Sequence, residues 1–473
     1  MKPDKSYPLY GPIIMMGLLF LFGLSIGVIS AGFVFDDISS LSILSVPIFV
    51  LASFYSLRDD RYLSIILPFI LLAFPVNVNN CFPGVFLESP ELEVVYPYFC
   101  HTELFLLLVL IYKYRKGYQL KVSLLPYILL WTFVISSIIS MIIHTDTHYW
   151  LLLISGQYPI RILVLILLFV QCVKIDFDYF IIGICFSILF LGLESFAYTY
   201  NKGLDVLTSG SLGNNTFGNV VAQLSSLLLY YMTWRKHNRI LIIPTLFVSL
   251  IILIGTDTRM AILSSLIVIT FVVFPSCSRR IKITIVLVGI ICAYYVMSHS
   301  LLSSLEGKMD VATTLSAIDI SSLTDIEITA TETTSSLLTR LSLWETSIKM
   351  LFDNPFTGIG WNLFNVLKYK YGFDIEVIID PHNGYFLFLS QLGLWGGLWV
   401  YYIFFRCWII YKKTADLDLK TLAIFNMGMT ICELSNAGSY KFNVLSFLLF
   451  MTIYINYEYN QRESQLNSEL QTC

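Results

Sequence analysis

Charged residues are scarce in this chain. Lys, Arg, Asp and Glu make up 13% of its 473 residues, whereas soluble globular proteins carry about 25%. This scarcity excludes an ordinary soluble domain, and the lack of a large basic patch argues against nucleic-acid binding. Apolar residues make up 56% of the chain, and the mean hydropathy is +0.75. The composition therefore indicates an integral membrane protein.

Apolar segments recur along the whole chain. A helix needs roughly 20 apolar residues to cross a bilayer, and only helices or closed barrels satisfy their backbone hydrogen bonds in lipid. We predict an all-α, polytopic bundle of about fourteen transmembrane helices. The first apolar segment lacks a small-residue cleavage site, which favours a helix over a signal peptide. The predicted spans are 10–31, 41–57, 62–77, 101–113, 122–143, 160–173, 180–199, 218–234, 240–256, 260–275, 281–298, 384–405, 419–434 and 442–457.

Basic residues are concentrated in alternate connectors. Cytoplasmic loops of membrane proteins carry the excess of Lys and Arg, so we expect these connectors and both termini in the cytoplasm. The intervening acidic or neutral connectors, including the long polar loop 298–383, should face the periplasm. The basic residues are Arg58 and Arg61; Lys113, Arg115, Lys116 and Lys121; Arg235, Lys236 and Arg239; Arg279, Arg280 and Lys282; and Lys412, Lys413 and Lys420.

The long polar loop has two parts. Residues 311–339 are dominated by Ser and Thr, which predicts a mobile surface segment. Apolar residues then recur at helical spacing, which predicts an amphipathic helix on the membrane surface or against the bundle. Asp353-Asn354-Pro355 should end this helix. The apolar positions are Leu337, Leu341, Trp344, Ile348, Leu351 and Phe352.

One imidazole stands where this loop re-enters apolar sequence. His382 lies in Asp380-Pro381-His382-Asn383, directly before the next predicted span. Histidine can accept or release a proton near neutral pH, so His382 is the candidate catalytic base. The alternative is a loop imidazole that caps the next helix. Asn383 is a candidate supporting residue.

Three arginines fall on the predicted outer side: Arg161, Arg259 and Arg340. The planar guanidinium can contact phosphate or carboxylate through two hydrogen bonds. Arginine near a membrane is costly and usually has a partner, so the alternative is a structurally paired or snorkelling side chain. Trp344 lies one helical turn after Arg340 and so points to the same side.

Several motifs occur together in the second half of the chain. They are Thr258-Arg259-Met260-Ala261, Arg340-Leu-Ser-Leu-Trp344, Asn354-Pro355-Phe-Thr-Gly358-Ile-Gly360-Trp-Asn, Pro381-His382-Asn383-Gly384-Tyr385 and Gly393-Leu394. Over about residues 240–405 the pattern resembles the superfamily of O-antigen ligases and Wzy-type O-antigen polymerases. Met260 departs from the family pattern, which has glycine there.

The resemblance implies glycosyl transfer at the outer face of the bacterial inner membrane, by an enzyme with a GT-C type fold. The donor would be a glycan on undecaprenyl pyrophosphate, and no metal or cofactor would be required. Arg259 and Arg340 would be the candidate ligands of the pyrophosphate, with Arg161 as a third candidate. The acceptor would be a sugar hydroxyl on a second lipid-linked repeat unit for a polymerase, or on lipid A-core for a ligase. A polymerase could also have a chain-length regulator protein as a partner.

The resemblance divides the chain into three parts: N-terminal spans 1–239, a core 240–405, and C-terminal spans with a tail 406–473. The higher span count favours a polymerase over a ligase. A lipid-oligosaccharide flippase is the alternative from another class, because apolar spans with buried charge fit a transporter too. No internal repeat of the transporter kind is present, however.

Several other residues each allow more than one interpretation. Glu194 and Glu433 lie inside spans near their outer ends, where each could position sugar or pair with arginine. His144 and His148 could bind a metal but have no further ligand nearby. Cys81 and Cys100 share an outer connector and could form a disulfide in an oxidising periplasm. The alternative is that Cys100 is a buried apolar thiol.

Overall fold

The computed structural model describes residues 49–74, 84–89, 92–97, 100–116, 158–208, 212–235, 238–256, 258–280, 332–361, 363–373, 381–434 and 442–472, with isolated positions at 131–142 and 282–287. Within these ranges the chain is helical except for one β-hairpin. The predicted span 10–31, almost all of 122–143 and 281–298, and the histidines His144 and His148 lie outside the described residues.

Twelve stretches of helix are defined here as α1 to α12. A π-helical turn, Phe69–Ala73, continues α1 at its C-terminal end. Short π-helical or 3-10 turns interrupt α7 at Ile269–Val273, and α10 at Gly393–Trp395 and Tyr401–Phe405. The helices are α1 Asp60–Pro68, α2 His101–Arg115, α3 Tyr158–Cys172, α4 Phe177–Lys202, α5 Gly213–Trp234, α6 Arg239–Gly255, α7 Arg259–Ser276, α8 Glu332–Asp353, α9 Phe364–Leu367, α10 Gly384–Lys413, α11 Leu417–Cys432 and α12 Phe442–Thr472.

Three helices in the described part of the chain are long and apolar enough to cross a membrane. They are Phe177–Tyr200 within α4, Arg259–Ser276 (α7) and Gly384–Lys413 (α10). The shorter helices α3 and α6 are also apolar. Helices α1 to α7 and α10 to α12 each overlap a predicted span, so the all-α membrane bundle is confirmed in outline. The number of fourteen spans and the GT-C type remain predictions.

A two-stranded antiparallel hairpin lies in the acidic connector between α1 and α2, where we expected only a loop. Strand β1, Gly84–Ser89, pairs with β2, Leu92–Pro97, in a register that places Phe86 opposite Val95. The sequence contains the signal, because β-branched and aromatic residues flank a Ser-Pro-Glu segment that favours a turn. The expectation was based on hydropathy, which does not separate a short hairpin from a loop.

Acidic residues cap the N-termini of several helices and also form ion pairs with a basic connector. The side chains of Asp59, Asp176 and Asp416 each accept a hydrogen bond from a backbone N–H in the first turn of α1, α4 and α11. Arg235 forms ion pairs with Asp178 on α4 and Asp418 on α11. The connectors before α6 and α11, both predicted to be cytoplasmic, therefore meet at one end of the bundle.

Helix α5 lies at the centre of the described bundle. Nearly every residue from Thr216 to Tyr231 is buried, and the helix packs against α6, α7 and α11. Helix α8 packs against α10, and α12 packs against α3 and α11. The polar residues that α5 carries are consequently enclosed by other helices instead of facing lipid.

Cys100 directly precedes α2 and is 2% exposed. Its backbone N–H donates to Glu103 Oε2 at 2.8 Å, so it caps the helix. The buried apolar position fits the alternative interpretation of this thiol. Cys81 lies outside the described residues, and a Cys81–Cys100 disulfide remains a prediction.

Candidate functional site

Residues 381–383 form the turn that leads into α10, and we call them the His382 turn. His382 is partly exposed and has φ +48°, the left-handed region that residues with a Cβ rarely adopt. Among the described residues, Asn238 is the only other non-glycine residue with positive φ. Such strain persists only where the surroundings enforce it, and it is concentrated at functional sites.

Asn383 enforces the turn from its C-terminal side. Its Oδ1 accepts hydrogen bonds from the N–H groups of Tyr385 at 3.0 Å and Phe386 at 3.1 Å, so Asn383 is the N-cap of α10. Its Nδ2 donates to the carbonyl of Leu434 at 3.0 Å, just beyond α11. Asn383 is therefore a positioning residue that fixes His382 relative to two helices.

Glu433 lies directly against the start of α10. Its carbonyl accepts a hydrogen bond from the Gly384 N–H at 2.9 Å, and its side chain is fully buried. A Cβ on residue 384 would lie 1.8 Å from Glu433 Oε2, so only glycine allows this approach. The structure thus places a buried carboxylate against Gly384, which follows His382 by two residues.

Helix α8 holds the turn from its N-terminal side. Trp344 Nε1 donates to the carbonyl of Pro381 at 2.8 Å, and the indole contacts the ring of Phe386 at 5.6 Å between centroids. Arg340 lies one turn earlier on α8 and is half-buried. Residues four apart share a helix face, so Arg340 projects from the face that contacts the His382 turn.

Helix α8 buries polar residues beside apolar ones. Ile348 is 37% and Phe352 76% exposed, and both belong to the apolar stripe that we predicted to lie on the membrane surface or against the bundle. The buried stripe instead contains Leu343, Thr346, Ser347 and Met350. Two of these residues are polar, and Ser347 satisfies its hydroxyl by donating to the carbonyl of Leu343; a pattern of hydrophobicity alone does not identify such a face.

The segment after α8 docks onto a break in α10. Ile359 N–H donates to the Ser390 carbonyl and Gly360 N–H to the Gln391 carbonyl, both at 3.0 Å. Gly358 has φ +63°, and a Cβ there would lie 2.2 Å from the Gln391 backbone. The Gly-x-Gly of the motif is therefore a packing feature that anchors the loop to α10.

A polar network crosses the centre of the bundle below this turn. Gln223 on α5 donates through Nε2 to Ser264 Oγ on α7 at 2.7 Å and to Cys432 Sγ on α11 at 3.4 Å. A Cβ at Gly428 would lie 1.7 Å from Gln223 Oε1, so glycine makes room for the carboxamide. Sequence reasoning missed this network, although a glutamine inside an apolar span was a usable signal.

Arg259, the first residue of α7, lies at the same end of the bundle as His382. Thr258 Oγ1 donates to the Asn214 carbonyl at 3.4 Å, so α5 and α7 begin together. Trp234, the last residue of α5, donates to Thr421 Oγ1 near the start of α11. Helix α11 is therefore antiparallel to α5, and its C-terminal end lies beside the starts of α5 and α7. Arg259 is exposed and sits five residues before Ser264, roughly 7.5 Å along the helix.

The structure places Arg161 against a carboxylate. Its Nε donates to Glu103 Oε1 on α2, and the Glu103 side chain is only 4% exposed. This arrangement fits the alternative of a structurally paired arginine. Glu194 is half-buried on α4. A role for Arg161 at pyrophosphate and for Glu194 at substrate both remain predictions.

One imidazole, one buried carboxylate and two guanidinium groups therefore lie at one end of the bundle: His382, Glu433, Arg340 and Arg259. No group of three or more His, Cys, Asp or Glu side chains converges on a common point within the described ranges. A base beside guanidinium groups can deprotonate a hydroxyl while the guanidinium groups stabilise a departing anion.

Comparison with known families supports the resemblance stated from the motifs. Residues 244–401 match the Wzy_C family model, described as O-antigen ligase. The match includes Arg259, Arg340, Trp344, His382 and Asn383. No curated protein matches the chain significantly. Over residues 244–401, the chain is thus similar to the O-antigen ligase family, in agreement with the resemblance stated from the motifs.

Proposed function

We propose that the protein is an O-antigen polymerase, or a polymerase of a related surface polysaccharide, in the bacterial inner membrane. It transfers a glycan from undecaprenyl pyrophosphate to a sugar hydroxyl of a second lipid-linked repeat unit at the periplasmic face. The observation that carries the proposal is the His382 turn, held in a strained backbone conformation by Trp344 on one side and Asn383 on the other.

In the proposed reaction the acceptor hydroxyl oxygen attacks the anomeric carbon of the donor. His382 accepts the hydroxyl proton as the new C–O bond forms, and the bond to the pyrophosphate oxygen breaks. Undecaprenyl pyrophosphate leaves with the electron pair, and direct attack inverts the anomeric carbon. A positioned base contributes about 10²–10⁴-fold to such a step.

Arg340 and Arg259 are the proposed ligands of the pyrophosphate. Negative charge grows on the leaving group in the transition state, and guanidinium groups directed at it lower the barrier. Arg340 shares a helix face with Trp344, which contacts the His382 turn. Arg259 is exposed at the start of α7, at the same end of the bundle as His382. The proposed reaction requires no metal.

A ligase that uses lipid A-core as acceptor is the second candidate, because the matching family model is described as O-antigen ligase. The same base and arginines serve both reactions, which differ only in the acceptor. A flippase has less support, since the charged and strained residues lie at one end of the bundle, whereas transporter sites lie near the midplane.

Deletion of the gene distinguishes these functions by the glycans on the cell surface. Loss of a polymerase leaves lipid A-core bearing a single repeat unit. Loss of a ligase leaves bare lipid A-core and accumulates lipid-linked polymer, and loss of a flippase leaves lipid-linked repeat units on the cytoplasmic side. A ladder of normal length in the deletion strain would contradict the proposal.

A further inference from the structure

Asn219 is a buried carboxamide for which the described part of the chain offers no hydrogen-bond partner. It lies on the central helix α5 and is 1% exposed. Within the described residues, neither its Nδ2 nor its Oδ1 has a hydrogen-bond partner. An amide removed from water without partners costs free energy that an apolar side chain at the same position would not.

The position of Asn219 relates it to the candidate site. Asn219 lies one turn before Gln223, so the two side chains share a helix face. Gln223 faces Ser264 on α7 and Cys432 on α11. The turn from Gln223 to Asn219 leads toward the end of the bundle where Glu433 meets Gly384. The carboxamide of Asn219 therefore faces the helices that carry the site, about one turn above the Gln223 network.

Comparable residues in the described bundle find partners for their Nδ2 groups, although the Oδ1 atoms of Asn426 and Asn443 also lack one. Asn426 on α11 is fully buried, and its Nδ2 donates to the Ile403 carbonyl at 3.0 Å, the Leu448 carbonyl at 3.2 Å and Thr452 Oγ1 at 2.6 Å. Asn443 donates to the carbonyls of Leu72 and Phe74. These two carboxamides connect helices, whereas Asn219 connects none.

We propose that Asn219 contacts the substrate, with its carboxamide bound to a sugar hydroxyl of the lipid-linked glycan. This inference rests on the proposed function, and it adds a residue that sets the sugar specificity of the proposed enzyme. A hydroxyl donates and accepts at once, so it matches both Oδ1 and Nδ2. A pyrophosphate only accepts, and it would leave Oδ1 facing negative charge. A buried site built for a hydroxyl strongly rejects a substrate that lacks it.

The test compares Asn219→Leu and Asn219→Ala with the wild-type protein in detergent, and uses Asn426→Leu as a matched control. The substrate is the lipid-linked repeat unit extracted from a strain that lacks this protein. Thermal unfolding, kcat/KM, and inhibition by undecaprenyl pyrophosphate without a glycan are measured for each. Asn219→Ala is the control for overpacking, because alanine is smaller than asparagine and fits the same space.

We expect both Asn219 variants to unfold at or above the wild-type temperature, since no native hydrogen bond is lost. Their kcat/KM should fall at least tenfold while the inhibition constant for undecaprenyl pyrophosphate stays unchanged. Asn426→Leu should unfold at a lower temperature. Unchanged kcat/KM in both Asn219 variants, a loss of thermal stability like that of Asn426→Leu, or an equal loss of inhibitor binding would overturn the inference. An inactive wild-type protein would instead contradict the proposed function.

Discussion

The indole of Trp344 on α8 donates a 2.8 Å hydrogen bond to the carbonyl of Pro381, the residue before His382. Helix α8 and the start of α10 are thereby joined at the proposed base. The same indole packs on Phe386 in the first turn of α10. One tryptophan thus couples the position of an amphipathic helix to the position of the imidazole.

Trp344→Phe should lower kcat without abolishing folding. Phenylalanine retains an aromatic contact with Phe386 but removes the Nε1 donor, so the His382 turn loses its link to α8. A hydrogen bond of this kind contributes about 0.5–1.5 kcal/mol, and a small displacement of a base has a larger effect on rate. We expect roughly a tenfold fall in kcat, with KM little changed. A wild-type kcat in this variant would show that the hydrogen bond does not position His382.

Substitution by lysine should affect activity differently at the three arginines. Arg259→Lys and Arg340→Lys should each lose most activity, because an ammonium group cannot reproduce the two-pronged contact of a guanidinium with phosphate. Arg161→Lys should lose less activity than either, since Arg161 is paired with Glu103 and lysine can keep that ion pair. The rates of the three variants are compared at equal expression. Equal activity in all three would contradict the assignment of Arg259 and Arg340 to the pyrophosphate.

Gly384→Ala should damage the site, whereas Gly397→Ala on the same helix should not. The new Cβ at 384 would meet the buried Glu433 carboxylate, but nothing lies within 4 Å of a Cβ at 397. Overpacking costs about 1–3 kcal/mol, while alanine in an open helical position stabilises by about 0.5–1 kcal/mol. Thermal unfolding of the two variants should therefore shift in opposite directions, and shifts of the same sign would contradict this contact.

Lys368 should make the stability of the loop depend on pH. It lies just after α9 and is 1% exposed, and burial lowers the pKa of its ammonium group below the ordinary value. The unfolded chain then binds more protons between the lowered pKa and about 10.4, so stability should rise with pH across that window. The unfolding temperature of Lys368→Met should lack this rise. A pH dependence identical to that of the wild type would exclude Lys368 as its origin.

The sequence allowed the helical bundle to be predicted because apolar segments are local signals. It also indicated the His382 turn, since a histidine before a span is visible in one stretch of chain. The pairing of Arg161 with Glu103 was not predictable, because the two residues lie on different helices and either could have had another partner. The burial of Thr346 and Ser347 on α8 was not predictable for a related reason, because hydropathy alone marks polar residues as exposed.

The central claim is that His382 is the base of a glycosyl transfer, and His382→Asn tests it most directly. Asparagine adopts the left-handed backbone conformation more readily than most residues, so the variant should retain the turn and the thermal stability. Purified wild-type and variant protein are given the lipid-linked repeat unit, and transfer is followed in the presence of EDTA. We expect the wild type to form polymer and the variant to be slower by about 10²–10⁴-fold. Polymer formation at the wild-type rate by a folded His382→Asn protein would contradict the claim.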